Sequence, residues 1–590
     1  MRGMGPPAIG PASCACRPDP ARTNMRLPLV TKAAMGRAWI NVMRAGPASM
    51  PAARPRRPRP GVRATWACAT PGAIRGGAMK GTRDSSMTSS AEIKASGFRM
   101  ETYRARPAAP RKVGHIGFVL LAAALALPGC DTVNRAVSSV VGSGPPVGAP
   151  GNVRGFLGGV ATEDPAAALA ARNVLSAGGT AVDAAVAAGF TLAVTLPSKV
   201  GLGGGGACLV FDQAKGATEA VLFLPGTRTA TPAGADRPAA VPLLARGLFG
   251  LHTRNPGRPF EELIAPAEQL ARFGTEVSRG FAGDLAAVSG PLFADPAARA
   301  LFARADGSPK HAGDPLLQPE LAGTLGQLRL AGVGDMHQGT LAKRLEESAR
   351  SIGGGLTAEE LRAGLPNLVP PFELPSRNGD RIAFLPPPAD GGLAAAAAFT
   401  ALQSGATLEE ASRRGLAAVA AWRQQGGDPK AVVAATNLPA ATPGPVGASA
   451  GLVVFDRIGN AVTCAFTMNN LFGTGRITPG LGFLLAPAAN IGQVRAPLLS
   501  AAIAYNPNIR GFRLGVAASG QDQAPIGVAG PAAFQLYRSL APVSAVETGA
   551  IGTARTQLGA CANYLPGYPD RCAIVSDPRG GGVALGAIDQ

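Results

Sequence analysis

SAGLVVFDRIGNAVTCAFTMNNLFGTG, residues 449–475, contains two β-rich runs, SAGLVVFD (449–456) and NAVTCAFTM (460–468), joined by a turn at Arg457–Gly459. Val, Phe and Thr suit a pleated, half-buried surface, and a short glycine-bearing connection predicts a hairpin. A Gly-rich loop follows, and GFLLAP (482–487) predicts a further apolar strand. Upstream, residues 160–195 read as helix, punctuated at Gly178–Gly179 and restarting near Thr180. In VGLGGGGACLVFD (200–212) the four consecutive glycines favour neither helix nor strand, but they let backbone approach backbone or ligand closely. ACLVFD then reads as a buried strand paired with EAVLFL (219–224). FEELIAPAEQLARFG (260–274), LQPELAGTLGQLRLAG (317–332) and LTAEELRAGL (356–365) read as helices, the last with a Thr357/Glu360 capping box. RIAFLPPP (381–388) is a strand running into a proline turn, GGLAAAAAFTALQSG is helix, and 427–448 reads as a linker. Helices around stacked sheets make an α/β sandwich.

The 590 residues carry a formal charge of +19, which by itself invites a nucleic-acid partner. Its location argues against one. Residues 1–129 hold 21 Lys+Arg against 4 Asp+Glu, or +17; the rest holds 35 against 33, or +2. The folded body is thus nearly neutral, and no nucleic-acid partner is expected. Residues 1–86, with RPRRPRP at 54–60, lack any sustained period. They read either as a disordered basic arm or as translation begun too early; the second is favoured, with Met87 or Met100 as starts. The extension is taken as 1–110.

Arg111, Lys112 and His115 precede the apolar run IGFVLLAAALALPGC (116–130), the pattern of an export signal and too short for a comfortable membrane span. Its LPGC ending resembles a bacterial lipoprotein box, with Cys130 lipidated and the protein periplasmic, held to a bacterial membrane by its lipid. An ordinary signal peptide with a chance cysteine is the alternative. Segment 111–130 is thus the signal and 131–152 a flexible tether rich in Gly, Pro, Ser and Val. Cys561 and Cys572 are placed to close a small loop in an oxidising compartment, whereas Cys208 and Cys464, in apolar runs, read as buried hydrophobes. No metal-ligand spacing is present, four histidines leave little for a His-based site, and no cofactor is expected.

GGTAVDAAVAA (178–188), GLGGGGACLVFD (201–212), PFEELIAPAEQLARFG (259–274), LFADPAAR (292–299), LTAEEL (356–361), PPPADGG (386–392) and GNAVTCAFTMNNLFGTG (459–475) occur in this order. Together they resemble the γ-glutamyltranspeptidases, over roughly residues 155–540. The resemblance implies the four-layer αββα sandwich of the N-terminal nucleophile hydrolases. It also implies one chain that cuts itself into a large segment, here 153–448, and a small one, 449–590, which stay associated. The substrate class implied is a γ-glutamyl compound such as glutathione, whose glutamyl group passes to water or an amino acid. A new N-terminal residue supplies both the nucleophilic hydroxyl and, through its α-amine, the base.

Carried over residue by residue, the resemblance puts the nucleophile at Ser449 and the cut at Ala448–Ser449. The family's Thr-Thr-His-like motif here reads Ser449, Ala450, Gly451, so a loop residue in an uncut relative is the alternative. Thr467 matches a threonine that supports the nucleophile, and Asn469 an asparagine that grips the glutamyl amino end. Arg228 matches the arginine for the substrate carboxylate, and Ser500 one of two serines that share that task; the other is Leu499. Gly520, beside Ser519, matches an oxyanion donor. After GFLL the family's acidic residues are replaced by APAAN (486–490), with Asn490 the nearest polar group. An amidase for a less charged acyl group, or a non-catalytic lipoprotein scaffold, would account for that loss.

Overall fold

The computed structural model describes residues 155–587 apart from 229, 442–446 and 490. The extension, signal segment, Cys130 and the tether therefore lie outside the described residues.

The strands, in chain order, are β1 (Gly158–Thr162), β2 (Gly205–Asp212), β3 (Ala217–Phe223), β4 (Thr275–Glu276), β5 (Pro315–Leu316), β6 (Asn367–Val369), β7 (Phe372–Pro375), β8 (Arg381–Phe384), β9 (Ala450–Asp456), β10 (Ala461–Thr467), β11 (Ser500–Asn506), β12 (Gly511–Ser519), β13 (Arg555–Leu565), β14 (Cys572–Ser576) and β15 (Val583–Ala587). One sheet runs β15-β1-β9-β10-β2-β3-β6 and a second β14-β13-β12-β11-β8-β7, with β4 and β5 a small separate ribbon. Side chains alternate between sheet faces. Leu209 and Phe211 of β2, Val453 and Phe455 of β9, and Ile503 and Tyr505 of β11 share the core between the sheets. Cys208, Leu452 and Val462 face the helices Pro165–Ser176 and Ala181–Thr195 instead. Ala502, Val516 and Leu558 face the helices Gly391–Gln403 and Ala524–Tyr537 on the other side. The result is a helix–sheet–sheet–helix sandwich.

Both sheets draw strands from either side of residue 448: β1, β2, β3 and β6 join β9, β10 and β15, while β7 and β8 join β11 to β14. The two segments form one interleaved body. Any cut at 448 would leave them sharing both sheets.

Three local readings change. Residues 160–162, read as the start of a helix, instead complete β1, held between β15 and β9, and the helix begins at Pro165. Gly205 and Gly206 do enter a strand: a Cβ on Gly205 would stand 2.1 Å from the Phe223 carbonyl, so the neighbouring chain comes close enough to demand glycine. GFLLAP forms only isolated bridges, such as Gly203 to Leu485.

The reading of Cys208 and Cys464 as unpaired hydrophobes is corrected. They stand opposite one another on β2 and β10, with Cα atoms 4.1 Å apart, and form a disulfide. Neither apolar run reveals this, because the register joins residues 256 positions apart. Cys561 and Cys572 form the other disulfide, across β13 and β14.

His337 is fully buried with Nδ1 3.0 Å from the Leu361 carbonyl. Burial, helped by the nearby Arg246 charge, lowers its pKa to about 4 from 6.5. The unfolded chain binds this proton where the fold does not, so the contribution is present above pH 6.5 and is lost as pH falls toward 4. Urea melts should lose up to about 3 kcal/mol across that window, and His337→Leu should flatten this part of the slope.

Candidate active site

Ser449 is buried, 3% exposed, immediately before the first residue of β9. The β9/β10 register pairs Ala450 with Phe466, so one step further out Ser449 lies opposite Thr467. The Thr467 hydroxyl donates to the Ala448 carbonyl at 2.6 Å, the carbonyl of the Ala448–Ser449 peptide. The same oxygen accepts the Asn469 backbone N–H at 2.8 Å, which fixes the hydroxyl's direction. The Asn469 carbonyl in turn accepts the Ala448 N–H at 3.0 Å. A Cβ on Gly447 would stand 1.9 Å from that carbonyl, so the chain before Ser449 is pressed against Asn469.

A cleft of about 870 Å³ opens at Ala448 and Ser449, with Ser519 and Gly520 of the second sheet on its wall. Gly520 has φ +123°, and a Cβ there would lie 2.6 Å from the Thr553 carbonyl, so glycine is required. Of the charged residues in the cleft that sequence reasoning missed, three form a chain of ion pairs. Glu163 stands at the end of β1 opposite Gly451 and accepts that residue's N–H through Oε1 at 3.0 Å. Its Oε2 lies 3.1 Å from Lys199 Nζ, which lies 3.5 Å from Asp284. Ser198 donates to Asp284 at 2.7 Å. Burial alone would lower the Lys199 pKa, but the Glu163 and Asp284 charges outweigh it and hold the ammonium above its usual range. Burial raises the Asp284 carboxyl, against the pull of Lys199. The available signal was Lys199 itself, a lone cation in the otherwise uncharged run TLPSKVGLGGGG.

The remaining candidates are engaged elsewhere. Arg228 Nη2 binds Glu360 at 2.6 and 2.8 Å and the Gly355 carbonyl at 2.8 Å, and Arg228 does not line the Ser449 cleft. The Asn469 side-chain amide donates to the Pro487 carbonyl at 2.8 Å and borders a second hollow of about 920 Å³. Ser500 is fully buried and donates to the Leu498 carbonyl at 3.0 Å. Asn490 lies outside the described residues. Among the described residues no group of three His, Cys, Asp or Glu is placed to hold a metal ion, and no helix is long and apolar enough to cross a membrane.

Residues 167–426 match the family described as Gamma-glutamyltranspeptidase. The glutathione hydrolase proenzyme of Pseudomonas aeruginosa is 30% identical over 382 residues, which are 56% of this chain and 67% of that protein. The chain belongs to the γ-glutamyltranspeptidase family. The glutathione hydrolase proenzymes of Bacillus subtilis (strain 168) and Escherichia coli (strain K12) are each 32% identical, over 40% and 41% of this chain. The match spans under half of those two relatives' lengths, 43% and 44%. Among solved structures, cephalosporin acylase from Bacillus halodurans superposes with a TM-score of 0.60 at 18% identity, covering 73% of this chain and 96% of that one. That likeness speaks for the N-terminal nucleophile hydrolase fold, which the sandwich of this family member shares.

Proposed function

We propose that this protein is a self-cleaving acyl transferase and hydrolase that frees Ser449 as its N-terminal nucleophile and moves a γ-glutamyl group to water or an amino acid. The observation that carries it is the Thr467 hydroxyl held 2.6 Å from the Ala448 carbonyl, at the peptide to be cut. Ser449 Oγ attacks that carbonyl carbon, and negative charge builds on the oxygen Thr467 already contacts. The C–N bond breaks as the C–O bond forms, and the hydroxyl proton goes to the departing Ser449 nitrogen. Water then hydrolyses the ester, leaving an Ala448 carboxylate and a free Ser449 amine and hydroxyl. In turnover the amine takes the hydroxyl proton, Oγ attacks the donor amide, and the leaving amine carries the proton away. The acyl ester passes to water or an amine, and the Ser519–Gly520 backbone, on the wall of the same cleft, would donate to the oxyanion. Cleavage would also release residues 447–448 from Asn469.

The Cys208–Cys464 bond spans residue 448, so the two pieces should stay covalently joined until reduced. Denaturing gels should show one band without reductant and two with it; replacing both cysteines by alanine should give two bands in either case. The assay for the activity is release of nitroaniline from γ-glutamyl para-nitroanilide, stimulated by glycylglycine. Processed enzyme that releases none would overturn the γ-glutamyl assignment. A second reading, an amidase for a different acyl group, is favoured by one observation: both Glu360 oxygens accept from Arg228 Nη2 while Nη1 donates to the Ala239 carbonyl, so the guanidinium is already engaged. Turnover of simple N-acyl anilides by the same processed enzyme would select it.

Export to the periplasm with a lipid on Cys130 is part of the proposal. Two disulfides among the described residues suit an oxidising compartment. Mass spectrometry of the mature N-terminus should find a lipidated cysteine, and an unmodified one would refute the anchor.

A further inference from the structure

Pairing between β1 and β9 stops at Thr162 and Leu452, because β1 ends there and Asp164 already caps the helix Pro165–Ser176. The next pair in that register would set Glu163 opposite Gly451, two residues after Ser449. Buried backbone groups require partners, and here two side chains replace the missing ladder. Thr162 Oγ1 donates to the Gly451 carbonyl at 3.0 Å, and Glu163 Oε1 accepts the Gly451 N–H at 3.0 Å. On its other side β9 stays paired with β10 through Ala450 and Phe466, the step beside Ser449 and Thr467. The start of β9 is thus gripped from both neighbouring strands. The Glu163 carboxylate is only 7% exposed, and such burial is costly unless the charge is paired. Lys199 Nζ supplies the pairing at 3.1 Å from Oε2, and is itself held from the far side by Asp284 at 3.5 Å. Asp284 in turn accepts the Ser198 hydroxyl at 2.7 Å. Glu163, Lys199 and Asp284 all line the cleft at Ser449.

We propose that Glu163 is a positioning residue for self-cleavage: its hold on the Gly451 N–H fixes the start of β9, and with it Ser449, against Thr467, while Lys199 keeps the carboxylate in place. This rests on the reading of Ser449 as the nucleophile of the cut and deepens it. Attack on the Ala448 carbonyl carbon needs a near-attack geometry, and a misplacement of about 1 Å can cost roughly a hundredfold in rate. Gly451 has no side chain with which to anchor itself, so its two backbone bonds to Thr162 and Glu163 carry that task.

The test times fragment formation on reducing gels for the full chain, well below each variant's unfolding midpoint, and measures denaturant midpoints alongside. Glu163→Ala should cut roughly tenfold or more slowly. In Glu163→Gln a single amide oxygen must serve both the Gly451 N–H and Lys199, since the amide NH2 cannot accept, and cutting should slow by roughly tenfold. Combining Glu163→Gln with Lys199→Met frees that oxygen for Gly451, so most of the wild-type rate should return. The same double change leaves Asp284 without its cation, so the protein should be no more stable than with Glu163→Gln alone. Recovery of rate without recovery of stability marks positioning, which a merely structural role would not give. Wild-type cutting by Glu163→Ala, or a double variant as slow as Glu163→Gln, overturns the proposal; if Glu163→Ala fails to fold, the isosteric pair decides. A wild-type chain that never cuts sinks the reading of Ser449 and this proposal with it, whereas a wild type that cuts beside variants that cut equally fast sinks the proposal alone.

Discussion

Ser449→Ala should leave the chain in one piece and reduce amidase turnover by about a millionfold, the scale seen when a hydrolase loses its nucleophile. The side chain is small, buried and just before the first residue of an interior strand, so deleting one oxygen should not disturb packing. Thermal midpoints of the variant and the wild type should agree within a few degrees. Ser449→Thr keeps the hydroxyl and should still cut, more slowly because a methyl group must find room beside Ala448. On reducing gels the alanine variant should show only full-length material after days of incubation. A variant that cuts as fast as the wild type would remove Ser449 from the chemistry, whatever the family.

Thr467→Val should slow self-cleavage roughly a hundredfold, the usual cost of losing one oxyanion donor. Valine keeps the shape and β-propensity of threonine but cannot donate to the Ala448 carbonyl. It also leaves the Asn469 N–H without its acceptor, a buried loss of about 1–3 kcal/mol. The two effects separate by measurement: the first appears in the time course of fragment formation, the second in the denaturant midpoint. Thr467→Ser should restore most of both. A valine variant that is less stable but cuts at the wild-type rate would make Thr467 structural only.

The β9/β10 hairpin was readable because its two runs are β-rich, adjacent in sequence and joined across Gly459. The helices at 260–273 and 358–363 were readable because apolar spacing and the Thr357/Glu360 capping box are local signals. β1 was not: GGVAT has little strand character of its own and owes its place to β9 and β15, each hundreds of residues away in the chain. The Cys208–Cys464 bond was hidden for the same reason. The placement of Thr467 beside the Ala448–Ser449 peptide was readable from the order of the motifs around them. Glu163, Lys199, Asp284, Arg279 and Arg555 were not, because only the folded sheets and the loop at 580–582 bring them to one cleft. Arg228 shows the converse case: the residue was readable, but Glu360, 132 positions on, decides what its guanidinium does.

The most direct test is N-terminal sequencing of the smaller fragment released from purified, reduced protein. That fragment should begin Ser-Ala-Gly-Leu-Val-Val, at Ser449. A chain that stays whole after reduction and long incubation, or a fragment that begins at any other residue, would contradict cleavage there.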